Sequence, residues 1–266
     1  MITSSANRQI KNLTKLLQKT KARCEECAFV VEGRKMFMET PVDMINKVFV
    51  AQFLEEENVP EIQEKLQELE KNGVEIETVA DNVFKAVSDT VAPQGIIAVV
   101  KQPQYSLDEL IKKDKAPLYI ILENLQDPGN LGTIIRTAEG AGISAIIMNK
   151  GTVDIFNPKV IRSTMGAVFR MPFVQVDDLA EAVKLLQKND IKVYAAHLND
   201  SVDYVNPSYI EGTAFMIGNE GNGLTDEISS MADSYIKIPM EGKLESLNAS
   251  VAAALLMYEV YRQRRK

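Results

Sequence analysis

Glu123-Asn124-Leu125-Gln126-Asp127-Pro128-Gly129-Asn130-Leu131-Gly132 is the stretch on which the reading of this chain turns. It follows the apolar run 118–122, which has the length and composition of a buried strand, and it leads into apolar residues at helical spacing over 131–141. Proline fixes φ, glycine admits φ > 0, and Asp or Asn offers an acceptor to the unpaired N–H groups at a helix start. Taken alone, Asp127-Pro128-Gly129-Asn130 is therefore a turn and a helix cap. A strand, a tight loop and a helix in that order put the loop at the carboxyl end of a strand, where open α/β sheets bind ligands. Arg136, on the first turns of the same helix, is expected to reach back toward the loop. Its planar fork suits a phosphate; the alternative is a surface arginine in an ion pair.

Two more loops share this design. Ile217-Gly218-Asn219-Glu220-Gly221-Asn222-Gly223-Leu224 follows a strand expected at 214–217. Its glycines let backbone approach a ligand closely, but the spacing is not that of a dinucleotide fingerprint, so a nicotinamide cofactor is discounted. Glu220 is either a solvated loop charge or an acceptor that orients another polar group. Ile238-Pro239-Met240, then Glu245-Ser246-Leu247-Asn248, follow a strand at 235–238. Ser246 and Asn248 could equally cap a last helix from 248. The run Ala249-Ser250-Val251-Ala252-Ala253-Ala254 offers small side chains for close packing.

Around these loops the remaining pattern is a strand at 145–148, a helix at 179–188 and a strand at 192–196, which together predict a mostly parallel sheet flanked by helices. Upstream, residues 101–117 carry two prolines and dense charge, so little of them is expected in a core and a boundary is placed there. The expected organisation is a domain over 1–105, a linker over 106–116 and a second domain over 117–266. The first is read as a small α/β layer: a helix over 5–21, a strand at 29–32, a helix from 33, a strand at 48–51, a helix over 59–71, and strands at 74–78 and 95–100. In the first helix Ile10, Leu13, Leu16 and Leu17 recur at helical spacing, which turns the lysines to the solvated face.

The totals set limits. With 266 residues, 45% of them hydrophobic, the chain can bury two cores. No apolar run approaches the roughly 20 residues that span a bilayer, and the polar opening is not a leader, so a soluble, unprocessed chain with no membrane contact is expected. Two cysteines in a CEEC pair and one histidine, His197, fit a reducing cytoplasmic setting. They supply too few ligands for a structural zinc, and a histidine-based triad is equally disfavoured. The net charge of −7 does not announce a nucleic-acid binder, yet Arg8, Lys11, Lys15, Lys19, Lys21, Arg23, Arg34 and Lys35 crowd the first stretch against only three glutamates. A local basic patch can bind phosphate despite an acidic whole. The acid density comes later, between Glu55 and Glu70.

The run from Asn124 to Ala138, Ile-Gly-Asn-Glu-Gly-Asn-Gly-Leu from Ile217, and Ile-Pro-Met through Ser-Leu-Asn-Ala-Ser-Val-Ala from Ile238 resemble, in order and separation, the three motifs of the SpoU/TrmH family. The resemblance implies a SPOUT-type α/β domain whose C-terminal segment threads a deep trefoil knot, an exception to the rule of unknotted topology. It implies S-adenosylmethionine as methyl donor, with no metal, and transfer to a ribose 2′-hydroxyl of RNA. Carried over by residue, Gly218, Ile238 and Leu247 hold the cofactor through backbone, with Ile217, Asn219, Met240 and Asn248 beside it. Asn130, Arg136, Glu220, Ser246 and Asn248 match the polar catalytic positions. The N-terminal part, with Phe-Val-Val-Glu-Gly at 29–33, is similar to the smaller α/β substrate-binding domain often attached to these enzymes. That turns the basic first helix into an expected RNA contact through Arg8, Lys11 and Lys15, with Arg34 beyond it. The family further implies a homodimer, and the two-domain form favours large-subunit (23S) ribosomal RNA as substrate. The alternatives are a transfer-RNA 2′-O-methyltransferase, a non-catalytic ribosome-associated RNA-binding protein, and an enzyme of a small molecule or free nucleotide, which would leave the basic N-terminal stretch unexplained.

Overall fold

The structure is a computed structural model and describes residues 1–111, 115–197, 201–244 and 246–265. The chain forms two compact units, Met1–Pro103 with Asp154–Phe169, and Gln104–Val153 with Arg170–Lys266.

The first unit is built on a four-stranded sheet: β1 (Ala28–Glu32), β2 (Ile45–Ala51), β3 (Glu75–Val79) and β4 (Ile96–Lys101), in the order β1-β4-β2-β3. β4 runs antiparallel to both neighbours and β3 parallel to β2. The helix expected over 5–21 is two helices, Arg8–Gln18 and Thr20–Glu26, hinged at an extended Lys19. The apolar stripe of the first is buried as its spacing requires. The break has a side-chain cause. Arg23, only 2% exposed, turns its guanidinium onto the carbonyls of Leu16 and Leu17 (2.7 and 3.2 Å), satisfying acceptors at the end of the first helix. Asp154 neutralises it, accepting from Nε and Nη2 at 2.9 and 2.6 Å. The same pair accounts for the segment Asp154–Phe169, which lies within the span 117–266 yet packs with the first unit: beside the ion pair, Phe156 sets its ring 4.8 Å from that of Phe29 on β1. The short helices Gln52–Glu57 and Asp81–Val87 were not legible, since two turns are too short for an apolar period to declare itself.

The second unit carries seven strands: β5 (Leu118–Leu122), β6 (Ala145–Asn149), β7 (Phe173–Val176), β8 (Lys192–Ala196), β9 (Val202–Asp203), β10 (Thr213–Ile217) and β11 (Ser234–Lys237). Their order is β7-β6-β5-β10-β8-β11-β9 and every pairing is parallel. All five residues of β5 and of β10 are buried, which is why these strands read as unbroken apolar runs. Because Ile217 pairs with Leu122, the loops after β5 and β10 leave the sheet side by side.

One expectation needs correcting. Residues 101–117 contribute to a core after all: Leu110, 3% exposed, ends a one-turn helix started by a Ser106/Glu109 capping box, and its carbonyl accepts from Tyr119 Oη at 3.0 Å. Two leucines three residues apart, set among charges, gave no periodic signal. Residues 112–114 of the expected linker lie outside the described residues.

Candidate active site

The loop after β5 is shaped by its own polar side chains. Asn124 takes a left-handed φ of 54°, with its N–H donating to Asn149 Oδ1 (2.9 Å) while Asn149 Nδ2 donates to Asn124 Oδ1 (3.0 Å). Asp127 caps the helix Pro128–Ala141, accepting from the Asn130 N–H at 2.8 Å, with Pro128 at the first helical position. The cap reading of this tetrapeptide is thus what the structure shows.

Glu220 crosses from the loop after β10 and clamps that cap. Its two oxygens accept from the N–H groups of Gln126 (3.0 Å) and Asp127 (2.9 Å), and Oε1 also takes Asn130 Nδ2 at 3.0 Å. Asn130, 8% exposed, passes the chain on: its Oδ1 accepts from Asn248 Nδ2 at 2.9 Å. Asn248 in turn caps the last helix, Ala249–Arg264, with Oδ1 accepting from Ser250 N and Oγ (2.9 and 2.7 Å). One run of hydrogen bonds thus ties together all three loops, and each amide's orientation is set by its neighbours. Burial pushes the Glu220 carboxyl up, but the Asn130 amide and the backbone N–H groups of Gln126 and Asp127 outweigh it and hold the group below its ordinary value. The clamp is therefore charged at neutral pH, and its contribution is lost only as pH falls through that lowered folded value.

Beside the clamp is a cavity of about 510 Å³. Its walls include Ile217, Gly218, Asn219, Ile238, Met240 and Leu247, six of the seven residues expected at a cofactor, together with Glu220 and Ser246; the seventh, Asn248, is not among its walls. The loop after β10 closes on itself through paired backbone bonds between Asn219 and Gly223, both 2.9 Å, and Asn219 Oδ1 accepts from the N–H groups of Gly221 and Asn222. Gly218 is required by that closure: a Cβ there would lie 2.1 Å from the carbonyl carbon of Gly223 and 2.2 Å from the nitrogen of Leu224. Sequence reasoning missed His197 and Asp226, which also line the cavity. His197 stacks on Tyr235 with centroids 4.8 Å apart. Its place at the carboxyl end of β8 was the available signal, but that β8 is the neighbour of β10 was not readable. Glu245 lies outside the described residues.

Arg136 makes no hydrogen bond within this network. It is exposed, and among the described residues it makes no hydrogen bond or ion pair. The helix explains this: six residues beyond Asn130, at about 100° per residue, it points to a different face. In the first unit, Arg8, Lys11 and Lys15 are exposed within about a 60° arc of one helix. Arg34 differs from them. Its guanidinium is engaged by Glu57, Nη1 to Oε1 at 2.9 Å and Nη2 to Oε2, and by the Gln94 carbonyl. Among the described residues no group of three or more side chains could hold a metal ion, and no helix is long and apolar enough to cross a membrane.

Comparison with known proteins puts relatives beside this geometry. Residues 117–258 match the SpoU rRNA Methylase family, and residues 7–98 match the MRM3-like substrate binding domain. The chain is 33% identical over 261 residues to the 23S rRNA (guanosine(2553)-2′-O)-methyltransferase RlmP of Bacillus subtilis, covering 97% of this chain and 98% of the relative. The crystal structure of an AdoMet-bound rRNA methyltransferase from Sinorhizobium meliloti superposes with a TM-score of 0.86 at 28% identity, covering 100% of this chain and 98% of that one. The SpoU methyltransferase AviRb of Streptomyces viridochromogenes, in complex with AdoMet, gives 0.85 at 26% identity, covering 97% and 98%.

Proposed function

The chain belongs to the SpoU rRNA methylase family, and we propose that the three-loop cluster at the carboxyl edge of its parallel sheet is the active site of an S-adenosylmethionine-dependent methyltransferase acting on a ribose 2′-hydroxyl of 23S ribosomal RNA. The observation that carries the assignment is the hydrogen-bonded run Glu220–Asn130–Asn248, which joins all three loops beside the large cavity. The enzyme has the SPOUT fold of its structural relatives, with the trefoil knot that fold implies in its C-terminal part.

The cavity suits the cofactor. Ile217, Ile238, Met240 and Leu247 provide apolar walls for a purine, the closed glycine loop provides backbone polar groups, and the carboxylates of Glu220 and Asp226 favour a cation. S-adenosylmethionine supplies a methyl group already made electrophilic by its sulfonium. What remains for the protein is to align the ribose oxygen and assist departure of its proton. Asn130, Glu220 and Asn248 hold the loops in register, and Ser246 lines the same cavity. Arg136, exposed and without a described partner, is the group left to grip the RNA phosphate next to the target ribose. It carries no base of its own to the ribose and assists proton loss only through that contact. Arg8, Lys11 and Lys15 form the strip that meets RNA in the N-terminal unit. Arg34 contributes by fixing the start of its helix against Glu57. A cytoplasmic setting, where ribosomal RNA is found, goes with this reading.

A homodimer belongs to the same proposal. Val251, Leu255, Tyr258 and Tyr261 are exposed along one side of the last helix, while Ala253, Leu256, Met257 and Val260 are buried on the other. A helix apolar on both sides needs a second partner, and a second copy of the chain supplies one. Mass measurement in solution is expected to give twice the chain mass, with Tyr258→Glu shifting it to the monomer. A wild-type monomer with full activity would remove the dimer from the account.

Methyl transfer from labelled S-adenosylmethionine to 23S ribosomal RNA and, in parallel, to transfer RNA tests the function, with nuclease digestion to locate the label. Label on ribose in 23S RNA is the expected result. Transfer to transfer RNA alone would favour the second substrate class. Absent cofactor binding would leave a non-catalytic RNA-binding protein.

A further inference from the structure

A second cavity, of about 340 Å³, adjoins the first and shares part of the loop after β10 with it. It falls within the range of small-ligand pockets, roughly 300–1,000 Å³. Its other walls are Asn124, Gln126 and Thr225, none of which lines the larger cavity. Gln126 is also one of the residues whose N–H the Glu220 clamp holds, so this cavity begins where the catalytic loops meet.

The amides here are committed on one side and open on the other. Asn149 Oδ1 accepts from the Asn124 N–H and from Thr152 Oγ1, which fixes Asn149 Nδ2 as donor to Asn124 Oδ1. The Asn124 side chain is thereby oriented, and its Nδ2 has no partner among the described residues. Gln126 donates both Nε2 hydrogens, to the carbonyls of Asn124 (3.1 Å) and Gly151 (2.6 Å), and its Oε1 has no partner among the described residues. One oriented donor and one oriented acceptor are what an unstacked base needs on its Watson–Crick edge.

We propose that this second cavity holds the base of the target nucleotide, with Asn124 Nδ2 donating to the base's acceptor and Gln126 Oε1 accepting from its donor. The proposal rests on the reading of the protein as an RNA ribose methyltransferase. It gives base selectivity to a reaction whose chemistry is confined to ribose, and a splayed-out base would bring its ribose to the clamp.

Asn124→Asp is the informative variant. It keeps the oxygen that receives Asn149, tolerates a left-handed φ, and replaces the open donor by a carboxylate acceptor, whose charge bears on all four bases alike and so leaves the comparison between bases as the readout. Once the methylated nucleotide is mapped, kcat/KM is measured for RNA carrying each of the other three bases at that position. Wild-type protein should lose at least about tenfold on the replacements. The variant, with unchanged affinity for S-adenosylmethionine, should keep the four bases within about threefold of one another. The same replacement penalty in variant and wild type would overturn the proposal, as would a variant that loses cofactor affinity, because Asn124 would then serve the first cavity. Wild-type protein that methylates ribose without regard to the base overturns it without any variant. Wild-type protein that methylates no ribose takes the functional reading down with it.

Discussion

Gly218→Ala is expected to weaken S-adenosylmethionine binding by more than about 100-fold, close to 3 kcal/mol. The added Cβ would meet three backbone atoms of Gly223 and Leu224 at 2.1–2.3 Å, where ordinary contact begins near 3.4 Å. A flexible side chain could move away, but these atoms are held by the paired bonds between Asn219 and Gly223. The loop must open by more than about 1 Å, and it forms a wall of the cofactor cavity. Gly221→Ala, three residues on, is the control. Its Cβ meets only the Asn219 side-chain oxygen, at 3.5 Å, so affinity should stay within about threefold of wild type. Titration calorimetry on both variants, with thermal melting to verify that each is folded, measures the contrast. Equal affinities would mean that the loop's closure does not shape the cofactor site.

Arg136→Lys is expected to lower kcat/KM for RNA by about 100-fold or more while cofactor affinity stays at the wild-type value. The side chain is exposed and without a described partner, so nothing in the fold depends on it, and the variant should melt as the wild type does. Lysine keeps the positive charge but replaces a planar fork by a single point of charge, so bidentate grip on a phosphate is lost. A purely electrostatic role would be largely restored by lysine. A bidentate one would not, and Arg136→Ala should then be little worse than Arg136→Lys. Near-normal turnover of the lysine variant on bound RNA would sink the phosphate-gripping role. The clamp provides a companion reading: Glu220 is held ionised at neutral pH, so pH dependence near neutrality should be shared by wild type and variant alike.

Several features were legible before any coordinates. The alternation of strands and helices in both halves follows from apolar period, and periods act over a handful of residues. Leu118–Leu122, Leu179–Lys188 and Lys192–Ala196 begin and end where the pattern put them. Asp127 and Asn248 were readable as caps because capping is chemistry between residues two or three apart. Other features were closed to that reasoning. The division of residues 5–21 into two helices goes with a buried Arg23 whose charge is met by Asp154, 131 residues away. That Arg34, an expected RNA contact, has Glu57 on its guanidinium is likewise a matter of tertiary placement.

The sequence by itself thus determined the α/β class, the three polar loops at strand ends and the family motifs within them, because each is written in local turn, cap and strand chemistry. The tertiary structure alone decided that these loops meet. Bringing Glu220 to Asn130, 90 residues earlier, and Asn248 to Asn130, 118 residues earlier, requires β10 to insert between β5 and β8. It decided too that Arg136 stands outside this run of hydrogen bonds and that Asn124 and Gln126 line a second cavity. Strand order in a parallel sheet is set by which buried faces pack together across the whole unit, and no local stretch of chain carries that information.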